Sequence, residues 1–194
     1  MNAILDEAFV CHVGFCIDGQ PFVIPTVHAR HGEDLYLHGA AASRMLRSVK
    51  GGLRVCVTVT LLDGLVLARS GFNHSMNYRS VMILGSAREL GTADKRAALD
   101  VIVERVLPGR PAEVRPATKK ELNATTVLAL PVSEASAKVR TGPPVDDEED
   151  YALPCWAGVL PLQLTALAPQ PDPRLPAGVA LPAGLERWSR GGPR

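Results

Sequence analysis

The stretch LRVCVTVTL, residues 53–61, decides the fold of this chain. Every second residue in it is a large aliphatic one, and polar or smaller side chains stand between them. This period of two is typical of a β-strand that buries one face and turns the other outward. Asp63-Gly64 follows, a pair that favours a tight hairpin, so we expect residues 65–70 to return as a partner strand.

The same kinds of signal continue on both sides of this stretch. Asp18-Gly19 predicts a hairpin between two further strands. The strands predicted outside residues 53–70 lie at residues 8–17, 20–30, 35–38, 77–90 and 125–132. Short antiparallel strands joined by tight turns predict a mainly β fold, an antiparallel barrel that closes on itself and leaves few exposed edges.

Helices are expected to be few and peripheral. Residues 41–49 form a short candidate that Gly51-Gly52 stops. Residues 92–107 are the best candidate, with an apolar stripe that Thr92 could cap. Thr118 and Glu121 have the spacing of a capping box, which predicts a brief helix after Thr118.

Length and charge limit the function classes. The chain has 194 residues, and 21 Lys plus Arg against 20 Asp plus Glu give a formal net charge of +1. Such a balance argues against general nucleic-acid binding and against a polybasic membrane anchor. No apolar run approaches ~20 residues and the N-terminus has no basic signal region, so we expect a cytoplasmic protein without a membrane span.

The cysteines show no metal-binding pattern. Their spacing matches neither a zinc ribbon nor a zinc finger, so no metal site is predicted. We expect four reduced, buried thiols, at Cys11, Cys16, Cys56 and Cys155.

The composition changes towards the C-terminus. The segment 141–144, Thr-Gly-Pro-Pro, cannot form regular structure, and the acidic run 146–150 is typical of a solvated loop. Prolines and glycines dominate beyond Pro169. The predicted organisation is therefore one barrel domain over residues 1–168 and an extended tail over residues 169–194.

The segment 35–46, LYLHGAAASRML, holds the first candidate for a binding site. A strand ends near His38, Gly39 permits an unusual backbone, and Ser43 and Arg44 stand in the first turn of the predicted helix. A helix start with a hydroxyl and a guanidinium suits a phosphate. The alternative is a capped surface helix whose arginines are solvated.

The segment 77–85, NYRSVMILG, holds the second candidate. Arg79 shares a strand face with Val81, and Ser80 lies on the opposite face. An arginine within an apolar strand must find water, a carboxylate or a ligand phosphate, because burying it unpaired is costly. The alternative is a salt bridge at the rim of the barrel.

Several ordered pieces of the sequence together resemble a known family. They are residues 18–26 (DGQPFVIPT), 35–39 with Ser43-Arg44, 77–81 with Gly85, 135–144 (ASAKVRTGPP) and 156–161 (WAGVLP). The chain resembles the flavin-binding split-barrel proteins related to pyridoxamine 5'-phosphate oxidase, and within them the nitroimidazole-resistance branch. This resemblance implies a six-stranded split barrel that forms a homodimer with FMN at the subunit interface.

The resemblance also implies roles for individual residues. The strand with Pro25, Thr26 and Val27 would lie along the flavin ring. The phosphate would be approached by His38, Gly39, Ser43 and Arg44, and the same groove would be lined by Arg79 and Ser80. A late segment with Lys138, Arg140 and Trp156 would cover the site. Relatives often carry Lys where this chain has Met45, so one phosphate partner is missing.

The function expected from this resemblance is that of an FMN-dependent, nitroreductase-like oxidoreductase acting on an unidentified small molecule. The flavin would carry the chemistry, and no residue of the chain is required as an acid or base. Two alternatives remain open: a flavin carrier or sensor without turnover, and a haem protein on the same barrel. In the haem alternative the ligand would be His28, His38 or His74.

Overall fold

The computed structural model describes residues 1–186 and 188. The described residues form nine strands, six α-helices and one 3-10 helix at Glu148–Ala152. The strands are β1 (Val10–Ile17), β2 (Gln20–His31), β3 (Asp34–Ala40), β4 (Arg54–Leu67), β5 (Ser75–Ser86), β6 (Arg88–Glu89), β7 (Thr125–Pro131), β8 (Ala135–Arg140) and β9 (Gly158–Pro161). The helices are α1 (Asn2–Glu7), α2 (Arg44–Lys50), α3 (Thr92–Val106), α4 (Arg110–Glu113), α5 (Lys119–Ala124) and α6 (Ala183–Glu186).

The strands form one antiparallel sheet that curls into a split barrel. Their order is β6-β7-β3-β2-β1-β4-β5-β8, and β9 pairs with β4. The 12-residue strand β2 pairs with β1 along its first part and with β3 along its last part, so it joins the two halves. The predicted mainly β split barrel is confirmed. The count of six strands is corrected to nine in the described part, because short edge pieces such as β6 and β9 carry no periodic signal.

Alternation along the strands builds the core. In β4, Val55, Val57, Val59 and Leu61 are all at most 4% exposed, as their period of two predicts. They pack with inward side chains of β1, β3, β5 and β7, and α2 adds Met45, Leu46 and Val49 to the same cluster. Each fully buried aliphatic side chain contributes roughly 1.5–3 kcal/mol to folding. A smaller cluster lies between α3 and β7.

The expected hairpin at Asp63-Gly64 is wrong. β4 continues through both residues to Leu67, with only a register shift between Leu62 and Gly64. The reason is long-range pairing: Gly64 lies opposite Pro161 of β9, and a Cβ on it would stand 3.1 Å from the Leu160 carbonyl oxygen. The glycine is therefore needed for the close approach of β9 rather than for a turn.

Two helix starts also differ from expectation. α2 begins at Arg44, with Ser43 as its N-cap residue, instead of at residue 41. α3 begins at Thr92 itself, so Thr92 is not its cap. The capping box before α5 is confirmed, because the Thr118 side chain accepts from the Glu121 amide and Glu121 accepts from the Thr118 amide.

The segment after β9 returns to the barrel. Within the described residues the stretch 162–182 has no strand or helix. Trp188 stacks on Phe9 with ring centroids 5.7 Å apart, so this end packs on the N-terminal region. Residues 187 and 189–194 of the predicted tail lie outside the described residues, and the division at residue 168 stays a prediction. Over residues 1–186 and 188, no helix is long and apolar enough to cross a membrane.

Candidate functional site

One broad face of the barrel turns away from the core. We call it the outer face, and it consists of the outward side chains of β2, β1, β4, β5 and β8. Its rows follow the strand register: Pro25, His12, Thr58, Met82 and Ser136 lie side by side. A second row contains Thr60, Ser80 and Lys138, and a third contains Leu62, Tyr78 and Arg140. With strands ~4.8 Å apart, the five-residue row is about 19 Å wide.

Apolar side chains on the outer face are unusually exposed. Val23 is 66% exposed, Val10 46% and Met82 42%. Hydroxyls and cations stand among them, including Ser80 and Lys138. An antiparallel sheet can leave one face to water, but a contiguous apolar surface indicates a binding partner or ligand. The outer face therefore has the chemistry of a surface that a planar, partly polar group and a second chain could cover.

The three residues predicted along the flavin ring do not share a face. Pro25 lies opposite His12 and Val27 lies opposite Val10, so both belong to the outer face. Thr26 lies opposite Cys11, which is fully buried, and its side chain therefore points to the core side. Two of the three predicted residues are thus placed where a surface ligand could contact their side chains.

Ser80 and Arg79 are separated in the same way. Ser80 belongs to the outer face, whereas Arg79 shares the face of Val81 and lies opposite Leu61. The Arg79 guanidinium donates two hydrogen bonds of 2.8 Å to Asp63 and also pairs with Glu7, at 2.9 Å from Nη2. These carboxylates raise the pKa of Arg79 above its ordinary value. Of the two alternatives left open, the ion pair fits this arrangement, and a phosphate would have to displace two carboxylates.

The segment predicted to hold a phosphate lies at the junction of β3 and α2. Ser43 precedes α2, and its side chain makes no capping bond to the helix. The Arg44 guanidinium lies over the Phe22 ring of β2, 5.8 Å from the centroid. Phe22 is three residues, or about 10 Å, from Pro25 along β2. Phe22 lies opposite the buried Phe15, so Arg44 approaches β2 from the core side, whereas Pro25 and Val27 are on the outer face of the same strand.

His38 and Gly39 differ from the expectation in their detail. Gly39 does not adopt a left-handed backbone, and its role is close packing, because an added Cβ would be 3.0 Å from Leu46 Cδ1. His38 lies opposite Val127, whose side chain packs beneath α3. His38 is therefore on the face of β3 that α3 covers, and not on the face that lines the main core. Burial lowers the pKa of His38, which keeps its imidazole neutral at pH 7.

The three predicted covering residues occupy two places. Lys138 lies over the Tyr78 ring at 5.6 Å, and Arg140 donates a 2.6 Å hydrogen bond to Asn77 Oδ1. Both lie on β8 in the outer face. Trp156 precedes β9, is 69% exposed and stands against Gly158. Trp156 therefore belongs to the edge formed by β9 rather than to the β8 edge.

His12 is an outer-face residue that the sequence analysis did not single out. It stands in the five-strand row, between Pro25 and Thr58. The alternation of β1 was the available signal, since the neighbouring Cys11 and Val13 are both fully buried. A side chain between two buried neighbours on a strand must point outward.

The cysteines and the other histidines occupy distinct environments. The expectation of four buried thiols is confirmed for Cys11 alone, because Cys56 is half-buried and Cys16 and Cys155 are exposed. His28 is fully buried, and its Nε2 lies 3.0 Å from the Leu5 carbonyl oxygen. Burial lowers the pKa of His28 below its ordinary value of 6.5.

Comparison with known proteins agrees with the fold. The sequence profile described as pyridoxamine 5'-phosphate oxidase matches residues 1–139. No curated protein sequence matches the chain. The structure of the flavocytochrome Anf3 from Azotobacter vinelandii is similar with a TM-score of 0.89 and 47% identity, over 94% of this chain and 85% of that one.

Two further solved structures are similar to this chain. The FAD and haem binding protein from Mycobacterium smegmatis has a TM-score of 0.94 and 38% identity, over 97% of this chain and 93% of that one. A 5-nitroimidazole antibiotic resistance protein from Bacteroides thetaiotaomicron has a TM-score of 0.57 and 25% identity, over 70% of this chain and 80% of that one. On the profile match and these identities, the chain belongs to the pyridoxamine 5'-phosphate oxidase family.

Proposed function

We propose that this chain is a flavin-dependent oxidoreductase that also binds haem and acts as a homodimer. The observation that carries the proposal is the outer face, which combines exposed apolar side chains with hydroxyls and a cation. Support also comes from two of the similar structures, one named a flavocytochrome and the other an FAD and haem binding protein.

The residues of the outer face fit a flavin. The isoalloxazine ring has apolar faces and a polar edge, and such a group needs both kinds of contact. Pro25, Val27 and Met82 offer apolar contacts, and Ser80 and Lys138 offer donors on the neighbouring strands. We assign the flavin phosphate to Ser43 and Arg44, and the ribityl chain would pass from the outer face around the end of the β1–β2 hairpin, close to Phe22. In the described residues no carboxylate is paired with Arg44, in contrast to Arg79.

We propose FAD rather than the FMN that the sequence resemblance implies. The reason is the Mycobacterium smegmatis structure, which is named for FAD and aligns with 97% of this chain. Both flavins share the ring, the ribityl chain and the first phosphate, so the proposed contacts are the same for either. The adenylate half of FAD would extend beyond the residues assigned here.

A second copy of the chain is the proposed partner at the outer face. Val10, Val23 and Met82 are exposed in a single chain, and burying them against another molecule is favourable at roughly 25 cal/mol per Å² of apolar surface. A closed two-fold contact uses the same surface on both copies. The flavin would then be held between the two outer faces, which would exclude water from its ring.

The chemistry would belong mainly to the bound groups: a flavin exchanges electron pairs with small molecules, and a haem iron exchanges single electrons. The residues of this chain bind, orient and shield. The Lys138 ammonium would favour negative charge at the flavin edge, and Ser43 and Arg44 would fix the phosphate. The substrate, a small molecule, and the cytoplasmic location both stay predictions.

Cofactor identity and reduction test the proposal. The purified protein should release a flavin on heating, and chromatography should identify it as FAD; release of FMN would overturn the FAD assignment alone. Anaerobic NADH or NADPH should then bleach the bound flavin, with repeated turnover when an electron acceptor is added. A flavin that is bound but never turns over with any such donor would favour the carrier or sensor alternative.

A further inference from the structure

We propose that haem binds at the edge of the barrel beside β9, with Nε2 of His74 as an iron ligand. This inference rests on the proposed function, since it names the place of the haem that the function includes. We call this region the His74 surface, and its members are Phe72, His74, Met76, Trp156 and Leu160. It is separate from Ser43 and Arg44, the residues assigned to the flavin phosphate.

The first observation is the orientation of the His74 ring. Its Nδ1 lies 2.8 Å from the backbone carbonyl oxygen of Ser70. A carbonyl can only accept a hydrogen bond, so Nδ1 carries a proton, and in the neutral imidazole Nε2 is then the nitrogen with the lone pair. Metal-binding histidines are commonly oriented in this way, by a hydrogen bond from the second ring nitrogen to a backbone carbonyl. His74 is exposed, so Nε2 is accessible to an iron atom from solvent.

The loop that carries His74 is held by a buried carboxylate. Asp146, whose side chain is fully buried, accepts hydrogen bonds from the Arg69 amide at 2.9 Å and from Arg69 Nη1 at 3.0 Å. The Arg69 guanidinium also lies 4.8 Å from the centroid of the Tyr151 ring. The acidic run was expected to be a solvated loop, and this is wrong for Asp146. Its buried carboxylate anchors the segment before His74. The Ser70 carbonyl that orients His74 belongs to this anchored segment.

The second observation is the apolar character of the surroundings. Phe72, two residues before His74, is 95% exposed, and Met76, two residues after it, is 51% exposed. Met76 lies opposite Leu65, which in turn lies opposite Leu160 of β9, itself 51% exposed. Trp156 adds a ring that is 69% exposed. A porphyrin has large apolar faces, and this surface offers an almost bare aromatic ring next to an oriented imidazole.

The other histidines fit an iron ligand less well. His28 is fully buried, and its Nε2 is engaged with the Leu5 carbonyl oxygen. His38 is half-buried on the α3 side of β3. His31 stacks on Tyr36 at 6.0 Å, and His12 lies in the outer face assigned to the flavin. Of the three ligands left open by the sequence, His74 alone combines exposure with a fixed tautomer.

Haem titration of two histidine variants tests the assignment. Hemin is added to the purified full chain, to His74→Gly and to the control His31→Gly, and the Soret band gives the affinity and the ligation. We expect His74→Gly to bind hemin at least about tenfold more weakly, with a shifted Soret band, and His31→Gly to match the wild type. Bound flavin in each sample reports whether the variant has folded.

Imidazole rescue separates ligation from structure. Added imidazole should restore the wild-type Soret band in His74→Gly, because free imidazole can enter the space left by the ring; a purely structural loss would not respond. Unchanged affinity and spectrum in His74→Gly, or no rescue, would overturn the assignment of His74. A wild-type chain that holds flavin but never binds hemin would instead overturn the haem part of the proposed function.

Discussion

Replacing Arg79 by methionine distinguishes a structural arginine from a phosphate ligand. In the wild type, Arg79 joins β5 to Asp63 of β4 and to Glu7 at the end of α1. Arg79→Met keeps much of the aliphatic stem but leaves the two carboxylates without this cation. We expect the variant to be less stable than the wild type. We expect the folded variant to bind flavin with nearly the same affinity.

The magnitude follows from the exposure of the three side chains. Arg79 is 27% exposed, Asp63 26% and Glu7 23%, so the network is neither a surface pair nor a buried one. Exposed pairs contribute about 0.2–1 kcal/mol, and breaking a buried pair costs about 3–5 kcal/mol. We therefore expect a loss of about 2–3 kcal/mol, which corresponds to about 4–12 °C in Tm for a chain of this size.

Urea unfolding and flavin titration measure the two effects separately. The matched variant is Arg44→Ala, which should weaken flavin binding by about 1.5–3 kcal/mol, the contribution of a hydrogen bond to a charged group. Arg79→Met should leave the flavin Kd within about threefold of the wild type. Wild-type stability in Arg79→Met together with lost flavin binding would refute the reasoning and restore Arg79 to the phosphate site.

Three further predictions concern burial and packing. Burial lowers the pKa of His28 below 6.5, so its contribution to stability is complete above pH 6.5 and declines as the pH falls, by up to about 1.4 kcal/mol per pH unit. Urea unfolding between pH 5 and 8 should show a smaller decline in His28→Gln than in the wild type, and equal declines would contradict this. Burial raises the pKa of the Cys11 thiol to about 12, so native protein should be alkylated at the exposed Cys16 and spared at Cys11, as peptide mass spectrometry can show. Gly64→Ala should cost about 1–3 kcal/mol by crowding β9 and should speed amide hydrogen exchange there, whereas unchanged exchange would argue against close packing at Gly64.

The sequence correctly predicted the elements that depend on contacts between residues close together in the chain. The alternation in β4 fixed which side chains are buried, and the capping box at Thr118 and Glu121 fixed the start of α5. The hairpin at Asp18-Gly19 formed as expected, because both residues adopt the positive φ that a tight two-residue turn requires. In each case the deciding contacts lie within a few residues of one another.

Features that depend on residues far away in the sequence were predicted wrongly or missed. Asp63-Gly64 has the composition of a turn, but β9, much later in the chain, pairs with Gly64, and β4 continues through both residues with a register shift. Arg79 finds Glu7, which is 72 residues away, and no periodic pattern connects the two. The same limit applies to His74, whose anchoring carboxylate Asp146 lies 77 residues after Arg69.

Strand faces explain the mixed outcome for the predicted site. The family resemblance implied roles for neighbouring residues together, such as Pro25 with Thr26 and Arg79 with Ser80. Adjacent residues on a strand point to opposite faces, so only one of each pair belongs to the outer face. The same alternation would have identified His12, which also belongs to that face.

Native mass spectrometry shows whether two outer faces of this chain enclose a flavin. We expect a species of twice the 20.7 kDa chain mass with two flavins, and loss of flavin whenever the dimer separates. A charged substitution in the middle of the face, Met82→Glu, should yield flavin-free monomers. A monomer that retains its flavin, in the wild type or in this variant, would mean that the flavin is not held between two outer faces.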